Sequence, residues 1–272
     1  MPGFFRRAAA RRQRPAGEAE RRLAPSWLVR AMLLEARLRR FSEKTKLADI
    51  AMFLEGFARF QEKYFAGDDS IYSRLRQGQS PRTLVISCCD SRADPGMLMG
   101  AGPGDIFVVR NVANLVPPYR NGAEMPGIRA DIEFAVKGLN VEQIIILGHS
   151  GCGGIRALMD GEGVTENHYE FIGAWVSIAR AARERVLREL AGRPQAVQAK
   201  ACEQWAISLS LDNLTSFPWI RERVEAGTLA LHGWYFDIDA GELLAYSPER
   251  LTFAPLVAKA TTAAVDADGG RS

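Results

Sequence analysis

Two short runs carry groups that do chemistry. Cys88-Cys89-Asp90-Ser91-Arg92 follows the apolar stretch Thr83-Leu84-Val85-Ile86, and His149-Ser150-Gly151-Cys152 follows Ile144-Ile145-Ile146-Leu147-Gly148. Two thiolates and one imidazole are favourable zinc donors, and three protein ligands leave the fourth tetrahedral position for water or substrate. Cys88, His149 and Cys152 are therefore the expected metal ligands of one catalytic site. Asp90 and Arg92 build an oppositely charged pair into the same turn as the first ligand, and they are the candidate catalytic residues.

Groups so far apart in the chain must be brought together by the elements that precede them. The runs before Cys88 and His149 are short, continuous and β-branched, as buried parallel strands are. Open α/β sheets place their sites at the carboxyl ends of such strands. Strands are expected over 82–88, 105–109 and 143–148, with a strand pair at 228–236 and 242–246 around Asp239-Ala240-Gly241. Helical spacing marks 50–60 (Ile50, Phe53, Leu54, Phe57, Phe60), about 127–139, 168–191 and 194–216. Alternation of strands and helices predicts a three-layer α/β/α sandwich on a mainly parallel sheet with an antiparallel edge strand.

The 272 residues, 47% hydrophobic and 25% charged, suit one globular domain with appendages. No apolar run approaches the roughly 18 residues of a membrane span, so no integral membrane association is expected. Four cysteines, two of them adjacent, make no disulfide framework. Reduced thiols that hold a metal point to a reducing compartment, the cytoplasm. Residues 1–46 hold 11 Arg and 2 Lys against 4 Glu, so the net charge of +3 belongs to this extension and gives no reason to expect nucleic-acid binding. The extension is expected to be partly disordered, with a basic helix over 26–40. An unstructured leader or upstream start artefact, a docking helix for the partner subunit, and a targeting or membrane-surface segment are all compatible with it. Residues 47–258 are expected to form the catalytic domain and 259–272 a flexible tail.

Cys-x-Asp-x-Arg with a distant His-x-x-Cys resembles the signature of the β-class carbonic anhydrases. The resemblance runs from about Ile50 to about Phe253 and includes Gln79-Ser80-Pro81, Phe107–Asn114 and Gly148–Gly154. It implies a dimer or a multiple of dimers, one zinc per chain, and reversible hydration of carbon dioxide to bicarbonate by zinc-bound hydroxide. It also implies that Gln79 reaches the substrate of the neighbouring subunit. Phe107, Val112 and Phe134 would wall the substrate site, and Gly153 would leave backbone room beside Cys152; plain core packing is the other reading of the aromatics. Where many members have Tyr, this chain has Phe134. One branch of the family closes its metal with the Asp and is locked by bicarbonate in a second pocket built from Trp, Arg and Tyr. Here those positions hold Val85, Arg110 and Phe236, which predicts the open branch, with Asp90 on Arg92.

Other readings use the same residues. Close relatives with these zinc residues hydrolyse carbon disulfide or carbonyl sulfide, and a non-catalytic zinc module needs only a fourth protein ligand. A zinc deaminase is excluded because no Pro-Cys-x-x-Cys follows His168-Tyr169-Glu170. The glycines at 151–154 lack the Gly-Lys-Ser/Thr of a phosphate loop. Cys89 should point away from the metal, Cys202 should lie in the core, and His168 and His232 should be ordinary hydrogen-bonders.

Overall fold

The computed structural model describes residues 47–66, 70–120, 126–161 and 170–257. The extension 1–46 with its expected helix, His168 and the tail 259–272 lie outside the described residues. The chain divides after Asp68 into two compact units. The first contains α1 (Leu47–Phe65), whose Phe57 and Phe60 rings stack 5.9 Å apart and whose Ile50, Phe53 and Leu54 are exposed.

The second unit runs through α2 (Ile71–Leu75), β1 (Thr83–Cys88), α3 (Pro95–Met99), β2 (Ile106–Asn111), a 3-10 turn at Val112–Asn114, α4 (Pro126–Glu133) and a π turn at Phe134–Gly138. It continues with β3 (Gln143–His149), α5 (Gly153–Asp160), α6 (Ile172–Val176), α7 (Arg180–Glu189), α8 (Gln195–Thr215), α9 (Pro218–Glu225), β4 (Ala230–Asp237), β5 (Glu242–Ser247) and β6 (Thr252–Pro255). The sheet order is β2-β1-β3-β4-β5-β6, with the first four strands parallel and the last two antiparallel.

Both faces of the central strands are covered, which is why their sequences are apolar throughout instead of alternating. Leu84, Ile86, Ile144 and Ile146 pack with Ile128 and Ile132 of α4, Ile207 and Leu214 of α8 and Ile220 of α9. Val85, Ile145 and Leu147 face the other way, toward Leu98 and Met99 of α3. Each such fully buried side chain contributes about 1.5–3 kcal/mol relative to exposure. The α/β/α sandwich is therefore present, with α3 supplying the thinner outer layer.

Several boundaries differ from expectation. The helix near 127–139 is regular only to Glu133, after which a π turn begins at Phe134 and closes with Leu139 N–H donating to the Phe134 carbonyl. The segment 168–191 breaks into α6, a 3-10 turn and α7. The antiparallel part is two strands, β5 and β6, instead of one. The short β6 ends on Pro255, an edge-strand residue whose four-residue run carries too little pattern to stand out. Helix α9 was also unanticipated, although Pro218 at its first position is a start signal.

Of the two adjacent glycines that open α5, close packing falls on Gly154. A Cβ at Gly154 would meet Val112 Cγ1 at 2.5 Å and Ala113 Cβ at 3.0 Å, whereas at Gly153 it would meet nothing within 4 Å. Gly154→Ala should therefore cost about 1–3 kcal/mol by overpacking, despite the better helix propensity of alanine. Gly153→Ala should leave stability unchanged or slightly raised; denaturant unfolding of the two variants measures the contrast.

Candidate metal centre

Parallel pairing sets Ser87 of β1 opposite Leu147 of β3, so Cys88, one residue on, and His149, two residues on past Gly148, emerge at neighbouring strand ends. Cys152 follows one tight turn later, in which Gly151 adopts φ +66, a left-handed conformation that glycine reaches without a Cβ penalty. Ligating atoms of Cys88, His149 and Cys152 lie within 4.8 Å of one another, and all three residues are buried.

The two sulfurs stand 3.9 Å apart. Metal–sulfur bonds of about 2.3 Å at a tetrahedral zinc require about 3.8 Å. Between themselves they share one hydrogen bond, which holds the Cys88 thiol well below its usual range and pushes Cys152 up. Two thiolates this close repel, and a divalent cation between them removes that repulsion. The amides of Ile155 and Gly154, in the first turn of α5, favour the ionised form of Cys152. His149 Nδ1 sits 2.9 Å from the Ser150 carbonyl, so Nδ1 carries the proton and donates it there. That tautomer leaves the lone pair on Nε2, which is buried without a hydrogen-bond partner. A buried orphan acceptor beside two thiols fits a zinc ion.

Asp90 is held away from the three ligands. Its Oδ1 accepts hydrogen bonds from the Arg92 main-chain N–H (3.0 Å) and Nε (2.9 Å), and its Oδ2 accepts one from Arg92 Nη2 (2.8 Å). Arg92 Nη2 also donates to the Gly151 carbonyl, which ties the two ligand loops together. The Asp90 Oδ2 atom lies 3.8 Å from His149 Nε2. The hydrogen bond from Arg92 holds the Asp90 carboxyl well below the usual carboxylate range.

The other expected site residues divide. The Phe107 and Phe134 rings are 5.8 Å apart, with Phe134 largely exposed at the start of the π turn, and Gly138 leaves room for its ring. Val112 packs against the cluster that includes Cys88 and Cys152, its carbonyl accepting a hydrogen bond from Trp175 Nε1. Gly153 is exposed beside Cys152, and Gln79 stands exposed ahead of β1. Arg110 braces the first ligand loop, donating to the carbonyls of Cys88 and Asp90 and pairing with Asp94. Val85 is fully buried in an apolar cluster that Phe236 joins. His232 pairs with Gln143 within the sheet.

Sequence reasoning missed Glu203. It is buried in α8, where its Oε1 accepts from the Cys152 N–H (3.0 Å) and its Oε2 from the Tyr235 hydroxyl (2.7 Å). Burial raises the Glu203 carboxyl above its usual range, against those donors. The signal was a charged residue on the helical face that also carries Cys202, Ala206 and Ile207.

The carbonic anhydrase family model matches residues 83–243. "Beta carbonic anhydrase 5, chloroplastic" of Arabidopsis thaliana is 41% identical over 181 residues, which are 66% of this chain and 59% of that protein. The solved structure of the β-carbonic anhydrase CcaA superposes with a TM-score of 0.71 at 33% identity, covering 76% of this chain and 99% of that one. One of two tetrameric β-carbonic anhydrases from Sordaria macrospora gives 0.64 at 30% identity, covering 74% and 97%. The chain belongs to the β-class carbonic anhydrase family. No helix among the described residues is long and apolar enough to cross a membrane.

The remaining thiols should separate chemically. Cys202 is fully buried, and burial pushes its thiol up to about 12. At pH 8 roughly one molecule in ten thousand would carry the reactive thiolate. Cys89 is exposed. In native zinc-loaded protein, iodoacetamide at pH 8 should modify Cys89 and spare Cys202 until denaturant is added, as peptide mass mapping would report.

Proposed function

We propose that the chain is a zinc-dependent carbonic anhydrase that interconverts carbon dioxide and bicarbonate. The observation that carries this is the buried Cys88–His149–Cys152 group beside a carboxylate that Arg92 holds off it. Cys88 Sγ, His149 Nε2 and Cys152 Sγ would hold the zinc, which supplies the Lewis acidity that makes water a nucleophile near neutral pH. Two thiolates neutralise the formal charge of the metal, so the pH optimum should be alkaline.

The chain's own residues then orient the reactants. Asp90 Oδ2, facing His149 Nε2, accepts a hydrogen bond from the nucleophile and fixes its lone pair toward the carbon. Arg92 occupies both carboxylate oxygens and keeps Asp90 in that role. Phe107, Val112 and Phe134 offer an apolar wall to a non-polar linear substrate, Gly153 gives it room, and Gln79 reaches the site of a second copy. A dimer or multiple of dimers is part of this reading, supported by the exposed apolar side chains of α1 and by the tetrameric relatives. So are one catalytic domain over 47–258 and a reducing compartment, proposed as the cytoplasm, although one relative is named chloroplastic.

Asp90 and Arg92 also define the pH behaviour. A carboxyl held low is ionised throughout the working range; the stability its pairing adds is present above about pH 4 and lost only as pH falls below it. Val85 and Phe236 leave apolar packing where a second bicarbonate would need donors. The open state should therefore persist, and activity should follow one simple titration. A steep cooperative loss below about pH 8, just above the zinc-water range, would contradict it.

Stopped-flow carbon dioxide hydration on zinc-verified protein tests the activity. Cys152→Ser should lose both metal and hydration, while Arg92→Ala should keep zinc and lose about 10²-fold or more in kcat/KM. Turnover of carbon disulfide or carbonyl sulfide without carbon dioxide hydration would overturn the substrate. Light scattering of the active protein should give a dimer or multiple of dimers, and an active monomer would refute that part.

A further inference from the structure

We infer that Glu203 is a positioning residue for the metal-ligand loop, acting with Tyr235 to hold the main chain that carries Cys152. This rests on the reading of Cys88, His149 and Cys152 as zinc ligands. It adds a fixed anchor on the opposite side of the loop from Asp90 and Arg92.

The loop 149–152 carries two of the three ligands in four residues, and Gly151 in its middle has no side chain to pack. Its shape must be imposed from outside. On one side Arg92 Nη2 donates to the Gly151 carbonyl. From the β4 side, Ser150 N–H donates to the Phe236 carbonyl and Ser150 Oγ accepts from Ile238 N–H. Beneath, Glu203 takes the Cys152 amide at 3.0 Å. The positive φ of Gly151 makes the turn that presents the Cys152 amide to this carboxylate.

Glu203 is itself pinned. The fully buried Tyr235 donates to its second oxygen at 2.7 Å, so neither carboxylate oxygen is free to swing. A cavity of about 770 Å³ lies behind the loop, lined by Ser150, Arg156, Lys200, Glu203 and Asp237. Lys200 in that lining pairs with Asp237 at 2.7 Å and so does not draw Glu203 away. The rigid helix α8, packed against β3 and β4 through Ile207, thus sets the depth at which Cys152 enters the site. Removing the carboxylate leaves the Cys152 amide buried without an acceptor and the loop free to retreat toward the cavity.

The test measures metal affinity by competition with a chromophoric zinc chelator, so it does not depend on which substrate is turned over. Glu203→Ala should weaken zinc binding about 10- to 100-fold, the usual loss when a ligand's outer partner is removed. Glu203→Gln keeps an oxygen for the Cys152 amide and should restore affinity to within about threefold of the parent. Leu214→Ala, on the same helix but in the core away from the loop, should lower the melting temperature without changing zinc affinity. Unchanged affinity in a folded Glu203→Ala protein, or equal losses in the Ala and Gln variants, would overturn the inference. Should Glu203→Ala fail to fold, Tyr235→Phe takes its place: a loss of about threefold or more in affinity supports the anchor and no loss refutes it. A parent chain that binds no zinc would sink the metal reading, whereas a zinc-binding parent with an indifferent Glu203 sinks this inference alone.

Discussion

Everything near the site depends on one electrostatic constraint: two cysteine sulfurs buried 3.9 Å apart beside an imidazole whose Nε2 has no protein partner. Such a group is unfavourable as two thiolates alone and favourable around a dication. Its neighbours are arranged to keep it from closing on itself. Arg92 holds Asp90 to one side, the Ser150 carbonyl sets the imidazole tautomer, and the start of α5 favours the Cys152 thiolate.

That arrangement requires a rigid frame, and the parallel sheet supplies it. Neighbouring strands β1 and β3 end at the same level, so ligands sixty residues apart in sequence arrive together without any long flexible reach. The turn after β2 completes the floor: Ala113 and Asn114 take positive φ, and the Asn111 side chain bonds the Leu115 main chain in both directions. The close contact of Gly154 with Val112 and Ala113 then locks α5 to that turn.

Arg110 is committed to the ligand loop. Its contacts here are all with the Cys88–Asp94 segment, and the positions that would complete an anion pocket are filled by Val85 and Phe236 in apolar packing. The guanidinium supports the ligand loop instead of presenting a binding face.

Residue chemistry and spacing by themselves picked out the Cys88–His149–Cys152 group, the Asp90–Arg92 pair and the parallel core, all of which the structure brings together, because thiol, imidazole and carboxyl groups at strand ends have few other uses and buried strands write themselves as apolar runs. Short elements were not legible: β6 has four residues, and the π turn after Glu133 spans only Phe134–Gly138. Glu203 was missed for a related reason. A single carboxylate on a helix looks like any solvated charge, and only the packing of α8 under the loop turns it toward the Cys152 amide. Likewise, which of two adjacent glycines is essential to packing was decided by the approach of Val112, a distance that no local pattern encodes.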